Sequence, residues 1–286
     1  MSSDIVEIAQ EKDEMKKLFQ EQQDFYKSGE TRSVEKRIKL LKELKAVLKQ
    51  NEQRLHDAIY ADFQKSEFET YATELAPLYE EIDRFIKRTH KWSRPQRVRT
   101  DLINIPGKSI RIPEPLGTCL IIGAWNYPYN ISLIPAVSAI AAGNTVIIKP
   151  SEVPTKTSEV MADLINNYLN TKHIAVVEGG IPETSELLSY KWDKIFFTGS
   201  PKVGKIVYQK AAEQLIPVTL ELGGKSPTFI TKSANLKITV QRLVWAKFLN
   251  AGQTCIAPDY VYVDQTIKAE FLKLLQEEIT KRSYTY

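Results

Sequence analysis

The sequence predicts an α/β protein built on a parallel sheet with helices on both faces, followed by the start of a second, smaller α/β unit. Two observations carry this expectation. From Thr118 to Leu220, short apolar runs alternate with amphipathic stretches of helical period, which is how repeated βα units read. From Gly223 onward a new strand–helix–strand–helix series begins and reaches only two strands before Tyr286, too few to cover a sheet. The expected division is therefore 1–222 and 223–286.

The first ninety residues read as helices. Val34, Ile38, Leu41, Leu44 and Leu48 recur at three- and four-residue steps among Lys, Arg and Glu, predicting an amphipathic helix packed on a domain rather than a coiled coil, because the heptads are not sustained. Leu75, Leu78, Ile82 and Ile86 predict another helix over 70–92. After Pro95 the texture changes. Asp101–Ile105 and Ser109–Ile112 alternate around Pro106-Gly107-Lys108, the pattern of a β-hairpin. Strands are then expected over 118–123, 145–149, 175–177, 194–197 and 217–220, with helices over 132–142, 158–169, 183–188 and 203–215. In the second unit the expected strands are 226–230 and 260–263, and the expected helices 237–249 and 267–281.

Composition excludes several classes. Hydrophobic residues are 43% and charged residues 26% of 286 residues, ordinary for a globular chain and unlike a disordered one. A net charge of +4 with interspersed signs does not point to nucleic acid. No charge occurs from Pro115 to Ile148, but Asn126, Pro128, Asn130, Pro135, Gly143 and Asn144 interrupt that stretch. A buried strand–helix–strand unit explains it better than a membrane span. The first twenty residues are charged throughout and lack the apolar core of a leader. With only two cysteines, Cys119 and Cys255, and three histidines, His56, His90 and His173, neither a disulfide framework nor a metal ligand set is expected, and a reducing, cytoplasmic setting is the default.

Four segments hold chemistry-bearing residues. Phe197-Thr-Gly-Ser-Pro-Lys-Val-Gly-Lys-Ile206 runs from a strand end into a helix start, where free N–H groups suit a phosphate. Ile206 stands where a P-loop needs Ser or Thr for magnesium, and the middle glycine of a dinucleotide fingerprint is absent. A P-loop phosphotransferase is thus the weaker option, which magnesium-dependent nucleotide binding would support. Lys149 and Glu152 follow a buried strand, positioned to donate to and accept from ribose hydroxyls unless they are merely a solvated turn. Cys255 lies in a small-residue loop after Gly252, where an exposed nucleophile belongs; Cys119, in Cys-Leu-Ile-Ile, reads as core. Glu221, between Leu220 and Leu222 and before Gly223-Gly224, is a candidate base, since flanking apolar residues can raise a carboxyl pKa, unless it is an ordinary salt-bridged glutamate.

Taken together, Trp125-Asn-Tyr-Pro128, Gly143 to Glu152, Phe197 to Gly204, Glu221 to Lys225 and Gly252 to Cys255 resemble the aldehyde dehydrogenase superfamily. The run Cys-Ile-Ala-Pro-Asp-Tyr260 is similar to its class 3, fatty-aldehyde branch. The resemblance implies a Rossmann-like cofactor domain and NAD-dependent oxidation of an aldehyde, medium- or long-chain aliphatic or aromatic, to a carboxylic acid, with NADP possible. It implies that Cys255 is the nucleophile, that the Asn126 amide holds the oxyanion and that Glu221 activates water. Lys149 and Glu152 would hold the adenosine ribose, and Gly199, Ser200, Val203 and Gly204 would lie beside the pyrophosphate. Family members continue past the nucleophile into a Glu-x-Phe-Gly-Pro motif that does not occur here. The strand of the family homodimer, and the membrane-anchoring tail of some members, would lie in that missing region. The expectation is hence of a C-terminally truncated chain, with an inactive nucleotide-binding fragment or pseudoenzyme as the alternative.

Overall fold

In a computed structural model the backbone is described for residues 2–282 and side chains from residue 12. Two compact units are formed, Met1–Glu221 and Leu222–Tyr286.

The first unit opens with α1 (Ser2–Lys27), α2 (Val34–Gln50) and α3 (Glu52–Phe63). The periodic leucines behave as an amphipathic helix should: Leu41, Leu44 and Leu48 are buried in the main core. The helical stretch is broken at Asn51, whose side-chain amide and backbone N–H both donate to the Val47 carbonyl, a local bond that competes with helix propagation. After α3, α4 (Glu67–Thr70) passes through a π turn (Tyr71–Leu75) into α5 (Ala76–Trp92).

The hairpin differs from expectation. Its strands are β1 (Gln96–Val98) and β2 (Ser109–Arg111), paired antiparallel, and Leu102–Asn104 is a 3-10 turn within the connection. The alternating Leu102, Ile103 and Ile105 are exposed. With no core beneath them, their alternation marks no strand face.

A five-stranded sheet follows, made of β3 (Thr118–Ile122), β4 (Thr145–Lys149), β5 (Ile174–Val176), β6 (Lys194–Gly199) and β7 (Val218–Leu222), in spatial order β5-β4-β3-β6-β7. β3 pairs in parallel with β4 and β6, and β4 in parallel with β5. β3 and β4 are buried at every residue, which is why they read as unbroken apolar runs. Between strands run α6 (Pro128–Ala142), α7 (Thr155–Tyr168), α8 (Ile181–Leu187) and α9 (Pro201–Ala212). α6 packs Leu133, Val137 and Ile140 into the same core as α2 and α5. Most of the uncharged stretch is therefore buried inside this unit, and no helix among the described residues is long and apolar enough to cross a membrane.

The second unit pairs β8 (Pro227–Ile230) in parallel with β9 (Tyr260–Val263). α10 (Leu236–Phe248) and α11 (Lys268–Lys281) pack beside them through Ile230, Val240, Val244 and Phe271.

Candidate functional site

Chain order and spatial order part company at β3. From β3 the chain steps outward to β4 and β5, then crosses back to β6 and continues outward to β7. Such a reversal opens a crevice at the carboxyl ends of the strands, where open α/β sheets take their ligands. Asn126 lies in the loop leaving β3, Lys149 ends β4, Glu152 follows it, Gly199 ends β6, and Glu221 is the penultimate residue of β7. Five expected site residues thus share one edge of the sheet.

Lys149 is almost wholly buried, and its ammonium donates to the Pro150 carbonyl. Burial pulls its pKa down, opposed by the carboxylates of Glu152, Glu183 and Glu178. A solvated turn would leave this lysine in water, so the enclosure favours a built feature. Glu152 is exposed at the mouth of the same loop. Glu178, just past β5, was not singled out by sequence; its carboxyl is shifted up by desolvation and by Glu159, and Lys149 counters it. Glu183 reaches back to accept the Gly180 N–H. The signal for both lay in Glu-Gly-Gly-Ile-Pro-Glu following an apolar strand.

At β6 the chain turns directly into α9. Ser200 caps the helix, its hydroxyl accepting the Val203 N–H at 3.3 Å, and Gly204 is buried in the first turn. That N–H is thus shared with the cap rather than wholly free. Pro201 occupies the position where a missing donor costs nothing. A Cβ on Gly199 would lie 2.5 Å from the Phe197 ring, so the backbone approaches closely only with glycine. A capped helix start, a glycine cradle and a cation flanked by carboxylates form a donor and acceptor set that fits a dinucleotide.

Asn126 is half-buried. Glu221 is exposed, not enclosed by Leu220 and Leu222, because alternate residues of a strand face opposite ways. In the second unit Cys255 is exposed, whereas Cys119 is buried and its thiol is pushed up to about 12 by burial. The Cys255 loop follows a strained corner: Asn250, Ala251 and Gly252 all have positive φ, at 54°, 54° and 76°. Asn250 and Gln253 cross-brace it, each side-chain amide donating to the other's carbonyl, at 3.3 and 3.1 Å. Gly224 approaches the same loop, since a Cβ there would sit 2.8 Å from the Cys255 carbonyl oxygen. Non-glycine residues held at positive φ cost energy and cluster where geometry is functional. Among the described residues no group of three His, Cys, Asp or Glu side chains is arranged to hold a metal.

Residues 4–284 match the Aldehyde dehydrogenase family. The chain is 42% identical over 254 residues to the dimeric NADP-preferring aldehyde dehydrogenase of Rattus norvegicus, covering 89% of this chain and 56% of that protein. It is 42% identical over 261 residues to the 4,4'-diaponeurosporen-aldehyde dehydrogenase of Staphylococcus aureus (strain NCTC 8325 / PS 47), covering 91% and 57%. A solved structure described as the substrate-bound state of Staphylococcus aureus AldH superposes with a TM-score of 0.91 at 40% identity, over 93% of this chain and 58% of that one. The chain thus spans a little over half the length of the curated relatives it matches. With this fold, and with a match running from residue 4 to residue 284, the chain belongs to the aldehyde dehydrogenase family.

Proposed function

We propose that the chain supplies the cofactor site and the nucleophile of an NAD(P)-dependent oxidation of an aldehyde, medium- or long-chain aliphatic or aromatic, to its carboxylic acid. The observation that carries this reading is the gathering of Asn126, Lys149, Glu152, Gly199 and Glu221 at one edge of a sheet whose order reverses there.

When bound, the nicotinamide supplies the two-electron acceptor. Lys149 and Glu152 orient the adenosine ribose, and the start of α9, from Gly199 and Ser200 through Val203 to Gly204, receives the pyrophosphate. The carboxylates of Glu152 and Glu178 around one buried lysine disfavour a further phosphate at the ribose, so NAD is preferred and NADP is accepted less well. Cys255, as thiolate, adds to the aldehyde carbonyl. The Asn126 amide and the Cys255 backbone N–H donate to the oxygen where negative charge develops. The C–H bond of the former carbonyl carbon then breaks, its hydrogen leaving as hydride to that acceptor, and the oxyanion re-forms C=O, leaving a thioester on Cys255. Glu221 takes a proton from the water that hydrolyses it, releasing the acid and restoring the thiol. As with the dimeric rat relative, the proposed assembly is a homodimer.

The test is NADH formation by the purified chain with a medium-chain aliphatic aldehyde, beside Cys255→Ser. Turnover that disappears in the variant supports the reading. Turnover that survives it, or nucleotide binding that requires magnesium, overturns it.

A further inference from the structure

The π turn Tyr71–Leu75 carries a group that the proposed chemistry does not use. Glu74 is completely buried there, and Lys65, itself buried, holds its ammonium 3.4 Å from Glu74 Oε1. Two opposite charges sealed in a core are costly to place.

What they hold is the start of α6. Its N-cap residue, Tyr127, provides no side-chain cap. Glu74 Oε2 accepts the Asn130 N–H at 3.0 Å instead, and the Tyr129 backbone also bonds this carboxyl. The Asn130 side chain completes the grip by donating to the Thr73 carbonyl at 3.0 Å. On the other side, the Lys65 ammonium lies 4.8 Å from the centre of the Tyr127 ring, within cation–π range. The two ends of the ion pair therefore touch residues 127, 129 and 130, and the residue immediately before them is Asn126. A carboxylate at a helix N-terminus is favoured by the helix dipole and by unpaired N–H groups. Here it comes from another element, so it fixes where α6 begins relative to α4 and α5 as well as satisfying it. Burial raises the Glu74 carboxyl to about 7, against the pull of Lys65 and the Asn130 N–H, the behaviour of a group that cannot relax into water.

The geometry points to Glu74 and Lys65 as a positioning pair that clamps the β3–α6 loop and so sets the place of the Asn126 amide during turnover. This rests on the role proposed above for Asn126. Neither residue is a catalytic residue; each acts through the loop.

The test uses the whole chain with Glu74→Gln, Lys65→Met and Lys65→Arg, each alone and with Asn126→Ala. Amide hydrogen exchange and steady-state kinetics are both measured. The clamp requires that Glu74→Gln speed exchange at Tyr129 and Asn130 by roughly tenfold or more while Val137 to Ala141 keep their protection. A global loss of stability would speed both. In kinetics, kcat falls roughly tenfold or more in Glu74→Gln and Lys65→Met with KM for NAD unchanged, and Lys65→Arg restores most of it. In the Asn126→Ala background the same changes cost nothing further, because they act through Asn126. Losses that multiply in the double variants overturn the proposal, as does unaltered exchange at residues 129 and 130. If Glu74→Gln does not fold, the Lys65 pair of variants decides in the same way. If Asn126→Ala alone leaves kcat intact, the role of Asn126 is overturned and the kinetic coupling with it; the exchange result then shows whether the clamp itself stands.

Discussion

Glu74 and Arg37 close opposite ends of one helix. Glu74 accepts the Asn130 N–H in the first turn of α6, and Arg37 donates to the Ala141 carbonyl in the last turn, at 3.4 Å. Each charge faces the end of the helix dipole that favours it. Neither lies near α6 in sequence, so the dipole stitches α6 both to the π turn and to α2.

The Arg37 end predicts two losses of stability. Its guanidinium also donates to the Thr31 and Arg32 carbonyls, at 2.7 and 3.0 Å. Arg37→Met leaves those acceptors unpaired and should lower unfolding free energy by about 3 kcal/mol. Gly143, which ends α6 at φ 96°, has no room for a Cβ: one would lie 2.5 Å from the guanidinium carbon. Gly143→Ala should therefore cost about 2 kcal/mol through strain and displacement of Arg37. Urea unfolding measures both, and a parental midpoint for either variant refutes the stitch.

The glycine at the β6–α9 junction predicts a binding defect. A Cβ at Gly199 meets the Phe197 ring at 2.5 Å, and the strand end must move to admit it. Gly199→Ala should weaken dinucleotide binding by roughly tenfold or more, about 1.4 kcal/mol. Fluorescence titration with NADH reads this without turnover. An unaltered dissociation constant would remove the pyrophosphate from this helix start.

Gly224 predicts a defect confined to the nucleophile loop. Its missing side chain leaves space for the Cys255 carbonyl, 2.8 Å from where a Cβ would stand. Gly224→Ala should displace the thiol by a fraction of an ångström and lower turnover by roughly 10²-fold. The rate of Cys255 alkylation by iodoacetamide should shift in parallel. Parental alkylation and turnover together would show that the contact carries no functional weight.

His173 predicts a pH dependence of stability. It is buried beside Phe25, ring centroids 5.5 Å apart, and burial lowers its pKa from 6.5 to about 4. The unfolded chain binds the proton near 6.5 and the folded chain near 4. Stability supplied by the neutral imidazole is therefore complete above about 6.5 and is lost progressively as pH falls toward 4, by about 3 kcal/mol from this group. His173→Phe should flatten the fall in thermal midpoint between pH 7 and pH 4.5. An equally steep fall in the variant would assign the effect elsewhere.

The succession of strands and helices is legible in the residues, because continuous apolar runs and 3.6-residue periods are local consequences of which faces are buried. The sequence also marked Lys149, the Gly199–Gly204 turn and the Cys255 loop, since turn, cap and nucleophile signals are written in neighbouring residues. It misplaced the first strand of the hairpin, where Leu102, Ile103 and Ile105 are exposed with no core beneath them. It did not distinguish the exposed Glu221 from an enclosed one, and it was silent on Glu74, Lys65, Arg37 and Glu178. Those residues matter only through what lies against them: Asn130 is 56 positions from Glu74, and Ala141 is 104 from Arg37. Tertiary packing alone decided that a glutamate nine residues past a lysine would be sealed into the core. Desolvation and pairing depend on distances in space, which no local pattern encodes.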